Sequence, residues 1–305
     1  MTRTRFTGLD LLLLLVILAW GTNLSVVKVA LRDFPVHAFN ALRMIVAAVA
    51  FSAVLLRAQP ADRRIDRRDW ARVLTLGLVG GTVYQLLFMN GVPRTSVANS
   101  GLIFGLSPVV ISLLSAAVGH ERLTWTRWAG GLLSVVGLYF VVGVGASLSV
   151  NSLVGDAYVF LAMLGWAVYS VASRPLLGRY SPTVLTAWTS VVAAPFYVAI
   201  TLPSILATEW GTVSALSWGL MLWSSTFCLV LAYVIWYTGV QRLGATRTSA
   251  YSNLIPIVAI AVAWVWLGEP VTSAQAVGAA AILAGVFLTR LSPVVLHPLS
   301  GRFEA

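Results

Sequence analysis

Aromatic and polar side chains lie inside otherwise apolar stretches of this chain, and they are the groups that could bind a small molecule. Tyr84 and Phe88 are four residues apart, which places both side chains on one face of a helix. Such a face stacks apolar or aromatic solutes, while phenol and amide groups bond to their polar ends. We therefore predict a substrate cavity. Its candidate lining is Trp20, Asn23, Tyr84, Phe88, Asn99, Trp166, Tyr169, Tyr233, Trp236, Tyr251 and Ser252.

Two cations and two prolines in similar stretches are candidates for gates or hinges. Lys28, near the end of its stretch, either senses an anion or snorkels to the membrane interface. Arg43 lies about two turns into its stretch, where a structural contact and a substrate carboxylate are equally good partners. Pro108 and Pro256 each remove a backbone hydrogen bond in mid-helix, which favours a hinge or cavity wall over a packing kink.

Helices that cross a membrane must position these residues. Hydrophobic residues make up 59% of the 305 positions and charged residues 10%, whereas about a quarter of the residues in soluble domains are charged. A span needs about 20 apolar residues. The sequence therefore predicts an all-α polytopic membrane protein with ten transmembrane helices. The predicted spans are 9–31, 36–56, 70–92, 97–118, 126–144, 156–177, 183–207, 216–240, 248–267 and 274–291.

Arginines predict the orientation of these spans. Most of the 20 basic residues fall on one side of the predicted membrane, including those of the N-terminus, the loop 57–72 and the C-terminal tail. Basic loops stay in the cytoplasm, so we expect both termini there. This placement accounts for the net charge of +10 without nucleic acid. The first apolar stretch continues to Leu31, which favours a span over a cleaved signal peptide.

An internal repeat links the two halves. Residues 91–142 align without a gap on 239–290, at an offset of 148, and residues 10–31 align on 156–177, at an offset of 146. The matched pairs are Gly91 and Gly239, Arg94 and Arg242, Pro108 and Pro256, Glu121 and Glu269, Gly130 and Gly278, Gly137 and Gly285, Asp10 and Asp156, Trp20 and Trp166, and Lys28 and Arg174.

The repeat predicts a mechanism. Each copy holds five spans, an odd number, so the second copy enters the membrane from the opposite face. We predict a first five-helix repeat at 1–145 and a second, inverted repeat with a short tail at 146–305. Two inverted halves of similar energy can open a central site to one side and then to the other.

The sequence gives little support for a metal site, a cofactor, enzyme activity or a proton relay. Cys228 is the one cysteine, and the three histidines have no metal-ligand spacing, so we expect no metal, no cofactor and no enzyme activity. No Asp or Glu lies near the centre of a predicted span, so a proton relay through a buried carboxylate has no candidate. Facilitated transport, or coupling through another group, is the expectation.

Glutamates and glycines have structural interpretations. Glu121 and Glu269 precede the fifth and tenth spans, where an acidic group caps a helix. Regularly spaced glycines indicate close helix contacts. These are Gly77 and Gly81, Gly101 and Gly105, Gly130 and Gly137, and Gly278 and Gly285.

Several of these residues resemble a known family. Trp20-Gly21-Thr22-Asn23 with Lys28, the Pro256 span, Gly268-Glu269, Gln275, Gly278 and Gly285 resemble the drug/metabolite transporter superfamily, EamA type. The resemblance implies an inner-membrane carrier that exports amino acids, related metabolites or toxic compounds from a site between its halves. The aromatics are similar to those of aromatic amino acid exporters. The first copy departs from the pattern at His120, where the second has Gly268.

Three alternatives stay open. Exchange of phosphorylated or nucleotide-linked sugars requires several cations in the cavity, and only Lys28 and Arg43 are deep in the predicted spans. A membrane-embedded enzyme lacks a catalytic constellation. A scaffold would bind no solute. The expected partners are a small-molecule substrate and the lipid bilayer, and the sequence does not decide between a monomer and a homodimer.

Overall fold

Helices form nearly all of the structure, a computed structural model that describes residues 7–119, 125–143 and 150–290. His120 and Glu121 lie outside the described residues, as does the C-terminal tail after Arg290. The helices are α1 (Gly8–Ala30), α2 (Val36–Arg57), α3 (Arg67–Arg94), α4 (Val97–Ala117), α5 (Trp125–Gly143), α6 (Val150–Leu177), α7 (Pro182–Leu206), α8 (Ala215–Leu243), α9 (Tyr251–Leu267, after a short helix Ala245–Ser249) and α10 (Ser273–Arg290).

Seven of these helices are long and apolar enough to cross a membrane, namely α1 to α4 and α6 to α8. Shorter apolar stretches occupy α9 and the first part of α10, and α5 has 19 residues. Large apolar side chains such as Leu11, Leu15 and Leu18 point outward, as expected for helices that face lipid rather than water. The predicted all-α architecture of membrane type is confirmed.

Local sequence explains where several helices begin and end. The Ser96 side chain accepts a hydrogen bond from the Asn99 N–H at the start of α4, and Ser214 accepts one from the Ser217 N–H at the start of α8. These serines satisfy N–H groups that have no partner within the helix. Gly244 follows α8 with φ of 87°, a backbone conformation that favours glycine and stops a helix.

Three of the described helices contain a π-helical turn: the turn Ala263–Leu267 ends α9, and the other two interrupt α3 and α8. The turn in α3 covers Gly77–Val83, and the turn in α8 covers Ser224–Leu231. The repeat offset of 148 maps residues 77–83 onto 225–231, so the two turns occupy matching positions. A π turn rearranges backbone hydrogen bonds locally and is often found at functional sites.

The prolines also interrupt helices. The regular helix of α4 ends at Phe104, and Pro108 lies in the first turn of the segment Ser107–Ala117. Pro256 likewise lies in the first turn of Ile255–Val262, after a 3₁₀ segment. The first turn of a helix tolerates proline because the missing N–H would have no partner there. A hinge role for the two prolines stays a prediction.

Glycines allow α5 and α10 to pack closely. A Cβ atom added to Gly137 would lie 2.8 Å from the Gly278 carbonyl oxygen, and one added to Gly285 would collide with the Gly130 carbonyl oxygen. The predicted close helix contact at these glycines is confirmed. In α4, Gly101 and Gly105 pack in the same way against α9.

Adding one methyl group at Gly137 is therefore expected to destabilise the protein. Gly137→Ala forces α5 away from Gly278, and overpacking of this kind costs about 1–3 kcal/mol. Gly219→Ala is the matched control, because a Cβ atom at Gly219 meets nothing within 4 Å. Thermal unfolding in detergent should show a lower melting temperature for Gly137→Ala and an unchanged or higher one for Gly219→Ala. Equal melting temperatures would contradict the close contact.

Candidate functional site

A small cavity lies between the helices of the first and second halves. Its volume is about 60 Å³. Six of the predicted substrate residues line the cavity, together with Arg43. These six are Trp20, Asn23, Tyr84, Phe88, Trp166 and Tyr233.

Aromatic rings form most of the wall. The centroids of Trp20 on α1 and Trp166 on α6 are 5.2 Å apart, with the rings nearly perpendicular. Tyr233 on α8 contacts Trp166 at 5.4 Å. Edge-to-face pairs at this distance are favourable because the positive edge of one ring meets the negative face of the other. The indole Nε1 of Trp20 also donates to the Cys228 carbonyl oxygen at 3.0 Å, which ties α1 to the π turn of α8.

Two predicted substrate residues lie behind this wall. Trp236 is fully buried, and its ring packs 5.1 Å from Trp20 and 5.7 Å from Trp166. Tyr169 shares a hydrogen bond of 2.8 Å with the Thr189 hydroxyl. Both support the wall but are absent from the cavity lining in this conformation.

Three more predicted residues lie away from the cavity. Asn99 donates a hydrogen bond to Asp156, and Tyr251 donates one to Asp10. Ser252 is buried near the start of α9. Their contact with a substrate stays a prediction.

Six lining residues were not predicted from the sequence. Gln85 carried a usable signal, because it is a polar residue in an apolar span, as is Asn23. The apolar ones carried none, since apolar residues line cavities and face lipid alike. The six are Leu24, Gln85, Phe104, Cys228, Leu229 and Ile255.

Arg43 is the cation of the cavity wall. It lies on α2 and is 1% exposed. Its Nη1 donates to Asn40 Oδ1 at 2.8 Å, and its guanidinium carbon lies 5.5 Å from the centre of the Phe39 ring. These contacts hold the guanidinium at the cavity wall.

A polar network joins the helices near the end of α1. Lys28 Nζ donates to Glu269 Oε1 at 3.0 Å, and Glu269 Oε2 accepts from the Val97 N–H at 3.0 Å. Glu269 thus links α1, α4 and the connection between α9 and α10. Asp33 follows α1 and accepts hydrogen bonds from the Ser214 and Ser217 hydroxyls at the start of α8. These bonds hold the pKa of the Asp33 carboxyl below its usual value of 3.8, so the carboxyl stays ionised at neutral pH.

Asp156 forms a second network at the same end. It is 4% exposed, accepts from the Thr95 hydroxyl, and accepts from Asn99 Nδ2 at 3.2 Å. Gln275 Nε2 donates to Asn99 Oδ1 at 2.8 Å, which extends the network to α10. α6 begins at Val150, so Asp156 lies within the first two turns of this helix and not near its centre.

Other polar contacts join the helices near the start of α1. The Tyr251 hydroxyl donates to Asp10, which links α9 to α1. Asp69, at the start of α3, accepts from Arg179 at 2.8 Å and from the Tyr180 hydroxyl at 2.9 Å. The cavity therefore lies between polar contacts at both ends of the helix bundle.

Known proteins share this architecture. A solved crystal structure aligns with a TM-score of 0.68 over 93% of this chain and 96% of its own, at 22% identity, which shows a common fold. A protein of Streptantibioticus cattleyicolor named "Probable terminal-alkyne amino-acid exporter" is 29% identical over 90% of this chain and 91% of its own. A Salmonella typhimurium protein named "Probable amino-acid metabolite efflux pump" is 25% identical over 91% and 93%.

A family model also matches both halves of the chain. The model of the EamA-like transporter family matches residues 8–143 and again residues 153–291. Other relatives are described as uncharacterized transporters. The two matches cover most of the chain, and its apolar helices fit a multi-pass membrane protein. The chain belongs to the EamA-like transporter family.

Proposed function

We propose that this protein exports small organic metabolites, amino acids foremost, by alternating access at the aromatic cavity. The observation that carries the proposal is a cavity walled by Trp20 of one half and Trp166 of the other, between polar networks at both ends of the bundle. The names of the two relatives in Streptantibioticus cattleyicolor and Salmonella typhimurium support amino acids as the substrate class.

Ten spans in two inverted repeats, 1–145 and 146–305, form the framework of this proposal. The family model matches the chain twice, once in each half. The glycine contacts support the symmetry: Gly137 packs on the Gly278 carbonyl and Gly285 on the Gly130 carbonyl, and the offset of 148 exchanges the two contacts.

A second pair of contacts supports the same symmetry. Gly91 on α3 packs against Val159 on α6, and Gly239 on α8 packs against Leu13 on α1. The offset of 148 relates the two glycines, and the offset of 146 relates their two partners. Matching contacts of this kind are expected where two copies of one ancestral unit face each other.

The polar networks are the proposed gates. The network of Asp156, Thr95 and Asn99, with the Lys28–Glu269 ion pair, closes the outer end. The Asp10–Tyr251 hydrogen bond closes the inner end. Asp10 and Asp156 are repeat partners, so each half contributes the same carboxylate to the gate at its own end.

We further propose the inner membrane as the location, with both termini in the cytoplasm. The arginines of loop 57–72 and of the N-terminus support this orientation through the positive-inside rule. With this orientation, the cavity opens to the cytoplasm when the Asp10–Tyr251 contact breaks and to the outside when the Asp156 network breaks.

Sugar phosphate exchange is less well supported. A phosphorylated substrate requires several cations, and Arg43 is the one cation among the residues that line the cavity. Lys28 is engaged by Glu269, which lowers its availability to an anion.

Transport by the purified protein tests the proposal. Proteoliposomes loaded with an unlabelled amino acid should accumulate the same labelled amino acid by exchange, for at least one member of a panel that includes aromatic and aliphatic side chains. Empty liposomes are the control for leakage, and liposomes with the Gly219→Ala protein, which should fold like the wild type, are the positive control. Absence of exchange for the whole panel would contradict amino acid transport and would leave the scaffold as the better interpretation.

A further inference from the structure

Arg43 has no counter-charge among the residues that the structure describes. Among the described residues, the ion pairs join Lys28 to Glu269, Arg68 to Asp66, and Arg72 and Arg179 to Asp69, and none includes Arg43. Its Nε has no hydrogen-bond partner in the part of the chain that the structure describes. A buried charge without a partner is unfavourable, so a site that retains one is suited to a ligand of opposite charge.

The rest of the cavity wall carries no acidic group. No Asp or Glu is among the lining residues; Asn23 and Gln85 are uncharged polar groups, and most of the other side chains are aromatic or apolar, Trp20, Trp166 and Tyr233 among them. The lining therefore combines one positive charge on α2 with aromatic rings from α1, α6 and α8. A guanidinium pairs with a carboxylate through two parallel hydrogen bonds, which suits a ligand with one such group.

We propose that the cavity binds an organic monocarboxylate, with its carboxylate on Arg43 and its apolar or aromatic body between Trp20, Trp166 and Tyr233. An ammonium group on the ligand is not required, because the wall offers it no carboxylate and Arg43 repels it. This inference rests on the proposed function and narrows its substrate class: amino acids bind through their carboxylate, and acids without an amino group bind as well.

Three ligands with one shared body separate the contributions of the two charges. They are 3-phenylpropanoate, which has the carboxylate alone, phenylalanine, which has both charges, and 2-phenylethylamine, which has the ammonium alone. Binding to the purified protein is measured by quenching of tryptophan fluorescence and by thermal shift. We expect the amine to bind at least about tenfold more weakly than 3-phenylpropanoate, since a charge-assisted hydrogen bond is lost.

Variants then assign the effect to one side chain. Arg43→Met should weaken 3-phenylpropanoate binding at least about tenfold, and Arg43→Lys should weaken it less, because the charge remains but the paired donors do not. Arg57→Met is the matched control on the same helix, since Arg57 is exposed. The neutral alcohol 3-phenylpropanol should bind equally to the wild type and to Arg43→Met, which shows that the variant keeps its cavity.

The outcomes distinguish this inference from the proposed function. Equal binding of the amine and the carboxylate, unchanged binding of 3-phenylpropanoate to Arg43→Met, or no binding of any of the three ligands would overturn the inference. Exchange of amines across proteoliposomes would leave transport standing and remove the carboxylate requirement. The expected binding pattern without any exchange would support Arg43 as the anchor and contradict transport.

Discussion

Replacing Trp20 with alanine is expected to reduce amino acid exchange in proteoliposomes at least about tenfold. The ring of Trp20 contacts Trp166, Tyr233 and Trp236, and each such pair contributes about 0.5–1.5 kcal/mol. Its Nε1 also donates a hydrogen bond to the Cys228 carbonyl oxygen. Loss of these contacts removes the apolar wall for the substrate and loosens the π turn of α8. A loss of 1.4 kcal/mol in transition-state stabilisation corresponds to a factor of ten in rate.

A milder change separates the two roles of this side chain. Trp20→Phe keeps a ring in the wall and removes the indole donor, so it should retain more exchange than Trp20→Ala. Trp264→Ala is the matched control, because Trp264 is 64% exposed on α9. Exchange by Trp20→Ala at the wild-type rate, with Trp264→Ala also active, would show that the aromatic cavity is not the transport site.

Substitutions at the two gates are expected to shift the conformation in opposite directions. Asp156→Ala leaves the Asn99 amide and the Thr95 hydroxyl without their acceptor in the buried outer network. An unsatisfied buried polar group costs about 1–3 kcal/mol, so the ratio of the outer-closed to the outer-open state should fall by about five- to 150-fold. Tyr251→Phe removes the hydrogen bond to Asp10 and should favour opening at the inner end by a smaller factor.

Labelling of Cys228 measures this shift. Cys228 lines the cavity, and a membrane-impermeant maleimide added to right-side-out vesicles reaches it only through the outer gate. We expect faster outside labelling for Asp156→Ala and faster labelling of inside-out vesicles for Tyr251→Phe. Asp62→Ala, which changes an exposed carboxylate in a loop, is the control. A shift in the same direction for both gate variants would contradict their assignment to opposite ends.

Long apolar runs in the sequence located most of the helices, because a membrane span requires such a run. The predicted span 36–56 corresponds to Val36–Arg57, and 97–118 corresponds to Val97–Ala117. The sixth span was less accurate, with a predicted start at 156 instead of Val150. A charged residue normally marks the end of a span, whereas Asp156 is stabilised inside the bundle by hydrogen bonds from α4, which local sequence does not encode.

Only part of the candidate site could be predicted, because the sequence does not encode how each helix is rotated in the bundle. Trp20 and Trp166 stood out as large residues at matching positions of the repeat, and they line the cavity in contact with each other. Tyr169 and Trp236 are also aromatic but are not among the residues that line the cavity. Which face of a helix meets the cavity depends on its rotation, and the π turns of α3 and α8 alter that rotation without a sequence signal.

Access to Cys228 in the wild-type protein tests the central claim, that one cavity opens alternately to the two sides of the membrane. Cys228 is the one cysteine of the chain and is 1% exposed. Alternating access predicts that an impermeant maleimide labels it slowly in right-side-out and in inside-out vesicles, and that an exchanged amino acid changes both rates. Labelling restricted to one side in all conditions, with no response to substrate, would contradict alternating access.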